Sequence, residues 1–563
     1  MENIKIPVGR SGFADIRMNN YYFADKSGLI EELLKTDATQ VTLITRPRRF
    51  GKTLNMSMLS EFFDIRKDSK ALFKGLAIAE NEELCTKWMN QYPTLFLTFK
   101  DIGGNTFENA YGLLETVISN LCKSHEYLTK SEVVNENDKL VFLELSLGNA
   151  RKKDLQTSIA LLLRMMQAYY GKPVILLVDE YDVPIAKASG NRGEKEDYYE
   201  QMMEVICPLI STAIKDNDSL KFAVFTGCLR IAKESIFTGT NNFVSDTISD
   251  TRLNEYFGFT QAEVNVLLEK TKLMDHIDEI KKWYNGYQFG DFDIYCPWDV
   301  MNYVNNLIMN PKAEPKSYWE NTSDNAIIRS FLERTQFDVN EKFEELLAGK
   351  YILEPIEETL TYDVLESSEE NWWTLLYFTG YLTTIQIEEK LPFGLFALKI
   401  PNAEVMDIFR KSVKNWFYDH ASMSDRSKLF FALWNGEAET LTNLLSDLLF
   451  DTISYHDYRE SFYHAFLVGL VSNAGYRVES NYENGLGRSD IVVKDRRNRR
   501  AFIIEAKWTE SEQNLDKVCE QAMRQIEERQ YVRKIERMGY KTVVPFAIAF
   551  WKKQCLVKVK KEK

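Results

Sequence analysis

The tripeptide Gly51-Lys52-Thr53 is the first place where this chain could do chemistry. Set where a strand turns into a helix, its backbone N–H groups would wrap phosphate oxygens, with the helix dipole behind them. Lys52 would reach the β- and γ-phosphates of a nucleotide, and the Thr53 hydroxyl would hold Mg²⁺. The usual pattern is Gly-x-x-x-x-Gly-Lys-Ser/Thr. Here Arg46 stands at the first glycine position, and the loop reads Arg46-Pro47-Arg48-Arg49-Phe50-Gly51-Lys52-Thr53, with Leu54 next. Taken alone, the tripeptide fits a helix that merely begins Gly-Lys-Thr equally well.

A second constellation changes that balance. The run Val174-Ile-Leu-Leu-Val-Asp179-Glu180 is an apolar strand ending in two acids. Asp179 would support the Mg²⁺ shell through Thr53 and water. Glu180 would polarise an attacking water as general base. Such a strand can also be one that simply reaches solvent, but the loop upstream argues for the metal and base roles. A further strand ends in Thr226-Gly227, followed by Arg230. Thr226 at that tip would sense the γ-phosphate. Arg230 would contact phosphate, in its own subunit or across an oligomer interface, or form a structural ion pair.

The third set lies near the C-terminus. Asp490 opens the apolar run Ile491-Val492-Val493, and Glu505 and Lys507 lie in Ala501-Phe-Ile-Ile-Glu-Ala-Lys507. Residues two apart on a strand share a face. Glu505 and Lys507 would therefore project together, with Asp490 brought beside them by a hairpin. Two carboxylates and a backbone carbonyl, that of Ala506, suit an oxygen-rich Mg²⁺ site. Such a site could activate water and stabilise the leaving oxygen of a phosphodiester. Lys507 would orient that water or offset the developing charge. Glu460 is a possible further ligand. Arg496, Arg497, Arg499 and Arg500 make the surroundings basic. Cross-strand ion pairing explains the acids and the lysine without catalysis.

These residues need a scaffold, and the pattern supplies one. Short β-rich runs at 41–44, 94–99, 174–178 and 222–226 alternate with helical stretches at 52–64, 106–124, 155–170 and 197–215. That alternation predicts a parallel sheet with helices on both faces. From 256 to 450 the pattern becomes mainly helical and aromatic-rich, a lid or linker region. From 451 to 563 it reads helix, three strands, helix and strand, an α/β domain of its own. The divisions are thus 1–255, 256–450 and 451–563. At 563 residues the chain exceeds what a single core normally serves. With 45% hydrophobic and 27% charged residues it reads as a globular protein. Seven scattered cysteines without a Cys-x-x-Cys pair argue against a disulfide framework or structural zinc and for a reducing cytoplasm. No apolar run reaches the ~20 residues of a membrane helix. The net charge is −13, yet residues 491–563 hold 19 Lys+Arg against 10 Asp+Glu, leaving −22 for the rest. This asymmetry marks either a nucleic-acid-facing end or a solvated basic tail.

Taken together, several stretches resemble a bacterial AAA-ATPase-like family whose members often carry a C-terminal PD-(D/E)XK nuclease-like domain. They include Pro7-Val-Gly-Arg-Ser-Gly-Phe13, Tyr22-Phe-Ala-Asp-Lys-Ser27, the loop 46–53, Val178-Asp-Glu-Tyr-Asp182, Phe225-Thr-Gly227 with Arg230, Trp283-Tyr-Asn-Gly-Tyr287, Ile400-Pro-Asn-Ala-Glu-Val405 and Glu460-Ser-Phe-Tyr-His464. The resemblance implies a P-loop ATPase of the additional-strand, catalytic-glutamate type in 1–255, with ATP rather than GTP as its nucleotide. In this family Arg46 at the loop's first position is usual. It also implies a restriction-endonuclease-like fold in 451–563 acting on nucleic acid, DNA in the first instance, with Gln525 positioning water or phosphate. The function expected is an ATPase coupled to a Mg²⁺-dependent nuclease. The alternative is a nucleotide-dependent switch or scaffold whose nuclease-like domain binds without cutting. Tyr22 to Ser27 would line the base or form a docking strand with a paired Asp25 and Lys26. Trp283 to Tyr287 would be core or a lid.

Overall fold

The computed structural model describes residues 4–35, 39–189, 197–229, 243–319, 328, 331, 340–358, 360, 362, 364–365, 367–388, 391–412, 427–452, 460–471, 476–484 and 487–560. The chain forms two compact units. The first comprises 1–319 and 353–405, the second 320–352 and 406–563. The middle region is thus shared between units, and among the described residues it holds six short strands as well as helices.

In the first unit, strands β1 (Val41–Thr45), β2 (Thr94–Thr98), β3 (Val174–Asp179), β4 (Leu220–Gly227) and β5 (Phe243–Asp246) form a parallel sheet in the order β2-β3-β4-β1-β5. All five residues of β1 and all six of β3 are buried, as expected of a sheet covered on both faces. Ile175 and Leu177 point to one side, where they join Met56, Leu59, Phe62 and Phe63 of helix Lys52–Phe63. Leu176 and Val178 must face the other way. They are equally buried, and helices Ser158–Tyr170 and Asp197–Ile214 pack on that part of the sheet. Helix Phe107–Ser124 was legible in the sequence, whereas helix Glu136–Leu147 was not.

The remainder of this unit holds two small sheets and further helices. Strands β6 (Phe259–Thr260), β7 (Tyr287–Phe289) and β8 (Phe292–Tyr295) pair antiparallel in the order β6-β8-β7. Helix Pro297–Met309 follows, with Tyr284, Tyr295, Tyr303 and Leu307 in its core. A second small sheet has β9 (Ile352–Pro355), β10 (Thr383–Ile385) and β11 (Leu395–Lys399) in the order β10-β11-β9. The Trp283–Tyr287 stretch is core. Tyr284 and Tyr287 are buried, and Gly286 has φ +99 against the Pro401 carbonyl, where a Cβ would collide.

The second unit is built on a mixed sheet of β12 (Arg477–Asn484), β13 (Gly487–Asp495), β14 (Arg500–Trp508), β15 (Thr542–Trp551) and β16 (Gln554–Val559), in sequential order. Only β14 and β15 pair in parallel, and the crossover between them carries helices Leu515–Glu528 and Tyr531–Arg537. Ile491, Val493, Phe502, Ile504 and Ala506 face the helices that precede the sheet, among them Glu460–Val471. Val492, Ala501 and Ile503 face the crossover helices, meeting Ile526, Tyr531 and Ile535. No helix among the described residues is long and apolar enough to cross a membrane.

Candidate functional site

The tip of β1 runs straight into the phosphate loop, and the helix starts at Lys52. Arg49 and Gly51 take left-handed φ values of 72° and 86°, which curl the backbone into a concave turn. Such turns present successive N–H groups to an anion. The amides of Gly51, Lys52 and Thr53 have no acceptor among the described residues, and the space where a Gly51 Cβ would stand is open. Lys52 Nζ donates to the carbonyls of Arg46 and Pro47 at 2.8 and 2.9 Å.

β4 lies between β1 and β3, the additional strand of the expected type. Across it the acid and hydroxyl groups still meet. Thr53 Oγ1 donates to Asp179 Oδ2 at 2.8 Å, and Thr226 Oγ1 donates to Asp179 Oδ1 at 2.6 Å. Glu180 follows with φ 53°, a conformation rare outside glycine and common at functional sites. Burial raises the Glu180 carboxyl above its ordinary range. Lys52 pulls it back, Asp179 and Asp182 push it further, and Arg48 opposes them.

Beside the loop opens a cavity of about 270 Å³ whose lining includes Lys52, Thr53, Leu54 and Glu180. Tyr22, Phe23, Phe259, Trp298 and Met301 also line it. The Tyr22–Ser27 segment therefore borders the cavity, but Asp25 and Lys26 do not pair. Lys26 Nζ reaches Glu263 Oε2 at 2.6 Å, and Asp25 accepts from the Ser27 and Ala77 amides.

At the second unit's sheet, Glu505 and Lys507 share the face of Ala501 and Ile503, with Lys507 Nζ 3.5 Å from Glu505 Oε1. Helix Leu515–Glu528 packs on that face and brings Gln525, whose Nε2 donates to Glu505. Glu505 is fully buried. Antiparallel pairing sets Ile491 opposite Ile504, and Asp490 is the next residue along β13. The side chains of Asp490 and Glu460 lie outside the described residues, as does Arg230.

The comparisons with known proteins fall on these two sites. A family described as "Predicted AAA-ATPase" matches residues 7–237, and the PD-(D/E)XK nuclease superfamily matches residues 458–560. The chain joins an AAA-ATPase-like domain to a PD-(D/E)XK nuclease-superfamily domain. It is also similar to the "Uncharacterized protein in vnfD 5'region" of Azotobacter chroococcum mcd 1, with 26% identity over 552 residues, covering 96% of this chain and 95% of that one.

Within the AAA-ATPase-like domain, Arg46 has a use that its position in the motif does not announce. Its guanidinium is fully buried and turned from the phosphate side. It donates to the Thr45 and Asp246 carbonyls, to Asp246 Oδ1 at 2.8 Å and to Asn254 Oδ1 at 3.0 Å. The first loop residue is thereby fastened to the end of β5. Arg46→Ala would leave Asp246 buried with Arg252 as its remaining cation partner, at a cost of about 3 kcal/mol. Chemical denaturation should show that loss.

Arg49 is held differently, with Nη1 on the Tyr318 carbonyl at 2.9 Å and the guanidinium carbon 4.4 Å from the Trp298 ring centre. Phe50 packs edge-on to Tyr287. Arg48 sits among Cys228, Tyr362 and Asp182. Asp182, quoted above only as part of a family stretch, accepts from the Cys228 and Leu229 amides at 2.9 and 3.0 Å and so fixes the chain beyond β4.

The first unit, beyond the matched AAA-ATPase-like domain, also contains a buried acid pair that no spacing announced. Asp299 and Glu404 are both fully buried, 0% exposed. Glu404 Oε1 accepts from the Tyr318 and Trp319 amides, and Asp299 is its ionisable neighbour. Burial and the neighbouring Asp299 push the Glu404 carboxyl far up. Burial raises Asp299 to about 6, against the pull of Cys296, Glu404 and Arg49. Its unfolded value is about 4. The stabilisation from its protonated form is therefore complete below about pH 4 and is lost as pH rises through about 6. Asp299→Asn should remove this loss, raising the melting temperature relative to wild type by roughly 3 °C between about pH 5 and about pH 7.5. Equal melting curves at both pH values would refute the assignment.

Proposed function

We propose that the chain is an ATP-hydrolysing protein whose nucleotide cycle controls a Mg²⁺-dependent nuclease acting on nucleic-acid phosphodiesters. The observation that carries it is the linked set Thr53–Asp179–Thr226 with Glu180 beside Lys52, on one chain with the Glu505–Lys507–Gln525 cluster. In the first site Lys52 exchanges two loop carbonyls for β- and γ-phosphate oxygens, and the free amides at 51–53 take the remaining ones. The aromatic side chains that line the cavity hold the base. Glu180, lifted by burial yet held near two cations, accepts a proton from water aligned on the γ-phosphate. Thr226 holds Asp179 in place and reports the state of the γ-phosphate.

At the second site Asp490, Glu505 and the Ala506 carbonyl offer oxygen ligands that suit a hard divalent cation. When bound, the cation supplies charge neutralisation and an acidified water. Lys507 offsets charge on the scissile phosphate, and Gln525 orients Glu505. Incubation of the purified protein with supercoiled, linear and single-stranded DNA and with RNA, in Mg²⁺ or Mn²⁺ with and without ATP, tests the whole reading. Cuts that need the divalent ion support it. Intact nucleic acid bound with different affinities in ADP and ATP would favour a nucleotide-dependent switch instead.

A further inference from the structure

The basic turn between β13 and β14 is not beside the acid cluster. Glu505 and Lys507 lie toward the C-terminal end of β14, and Arg496, Arg497 and Arg499 lie before its start. Glu505 lies five residues on from Arg500 along β14, about 17 Å at ~3.4 Å per residue. The turn is held firmly. Asp495 accepts from the Asn498 amide at 3.1 Å, from Asn498 Nδ2 at 2.8 Å and from Arg500 Nε at 2.9 Å. The Lys541 amide donates to the Arg499 carbonyl at 2.7 Å, which adds a fourth cation from the start of β15.

The cations here sort into two groups. Lys494 and Arg500 pair with Glu479 and Asp495. Arg496, Arg497, Arg499 and Lys541 are exposed, and none forms an ion pair among the described residues. Helix Tyr531–Arg537 ends just before Lys541 and adds exposed Arg533 and Arg537, with Glu536 the acid beside them. A solvated turn needs no such rigidity. The chain outside 491–563 carries −22 and would repel a polyanion, so fixed, unpaired cations at one place offset that repulsion.

We propose that Arg496, Arg497, Arg499 and Lys541 form a second phosphate-contact point for duplex DNA, about five base pairs from the bond presented to Glu505 and Lys507. The inference rests on the nuclease-domain reading but concerns grip rather than cutting. The duplex lies along the strand direction, one backbone held at the turn and the reacting phosphate at the acid cluster. The turn contacts carry no base information and set position.

The test uses the full chain and a fluorescent duplex of about 30 base pairs in EDTA, titrated at several salt concentrations. The triple variant Arg496→Ala, Arg497→Ala, Arg499→Asn keeps a residue that tolerates the left-handed backbone at 499 (φ 50°). It should bind about tenfold more weakly, and its slope of log affinity against log salt should be shallower by about 2 to 3, as expected for two or three lost phosphate contacts. Lys541→Glu should weaken binding in the same direction, and the footprint edge should retreat by about five base pairs in both variants. Wild-type affinity and slope in both variants, with wild type binding normally, would overturn the second contact alone. Wild type failing to bind any duplex would overturn the second contact, and absence of divalent-dependent cleavage of every DNA and RNA substrate would separately overturn the nuclease-domain reading. An unchanged melting curve for the triple variant assigns its weaker binding to lost contacts, whereas a lowered one, with Lys541→Glu binding normally, overturns the proposal.

Discussion

Glu180→Gln is expected to keep nucleotide affinity within about twofold and to slow ATP turnover by about 10²- to 10⁴-fold, the usual worth of a positioned general base. The argument is steric as well as electronic. Gln fits the same backbone at φ 53° and the same cavity wall, so the loop and Lys52 stay as they are. Only the proton acceptor is lost. Because burial raises the wild-type carboxyl, turnover should fall as pH drops through a value above the ordinary glutamate range, and this acid limb should vanish in the variant. Lys52→Ala separates the two functions, since it removes the phosphate ligand and should weaken binding itself. Phosphate release and fluorescent-nucleotide titration measure these effects. A Gln variant that hydrolyses ATP at the wild-type rate would remove Glu180 from the mechanism.

Lys507→Ala is expected to abolish divalent-dependent cleavage, by about 10²- to 10³-fold or more, while leaving duplex affinity nearly unchanged. Lys507 Nζ is 3.5 Å from Glu505 Oε1, so its charge is placed at the carboxylate that would hold the metal. Gln525→Ala should cost less, because Glu505 keeps its face and its strand. Cuts that persist in Lys507→Ala at the wild-type rate would assign the chemistry elsewhere in the chain or to a contaminant. The readout is nicking of supercoiled DNA, with melting curves as the control for folding.

Much of the scaffold was legible because it is local. The apolar runs that became β1 and β3 carry their burial in their composition, and the helices between them carry theirs in period. Lys52, Thr53 and Asp179 could be joined because a strand tip and a loop are known to meet there, although the 126 residues between Thr53 and Asp179 say nothing of distance. What escaped depends on pairing across the chain. Arg46 finds Asp246 200 residues away. Lys26 prefers Glu263 to its neighbour Asp25. Asp299 and Glu404 lie on different elements. The C-terminal order of helix, strands, helix and strand was readable, with one helix, Tyr531–Arg537, added. The basic turn was visible as composition, but its place at the far end of the sheet needed the register of β13 on β14.

Glu404 has one more consequence. The chain leaves the first unit after Trp319 and again after Val405, and the carboxylate that accepts from the Tyr318 and Trp319 amides belongs to the residue just before Val405. Two distant segments of the first unit thus share one carboxylate. Parting them would strand two amides and an acid in a dry interior, each such loss costing on the order of 1–3 kcal/mol. Arg49 of the phosphate loop is fastened to the same frame through the Tyr318 carbonyl. Within the first unit, the segments that end at Trp319 and Val405 are therefore tied to each other and to the nucleotide loop.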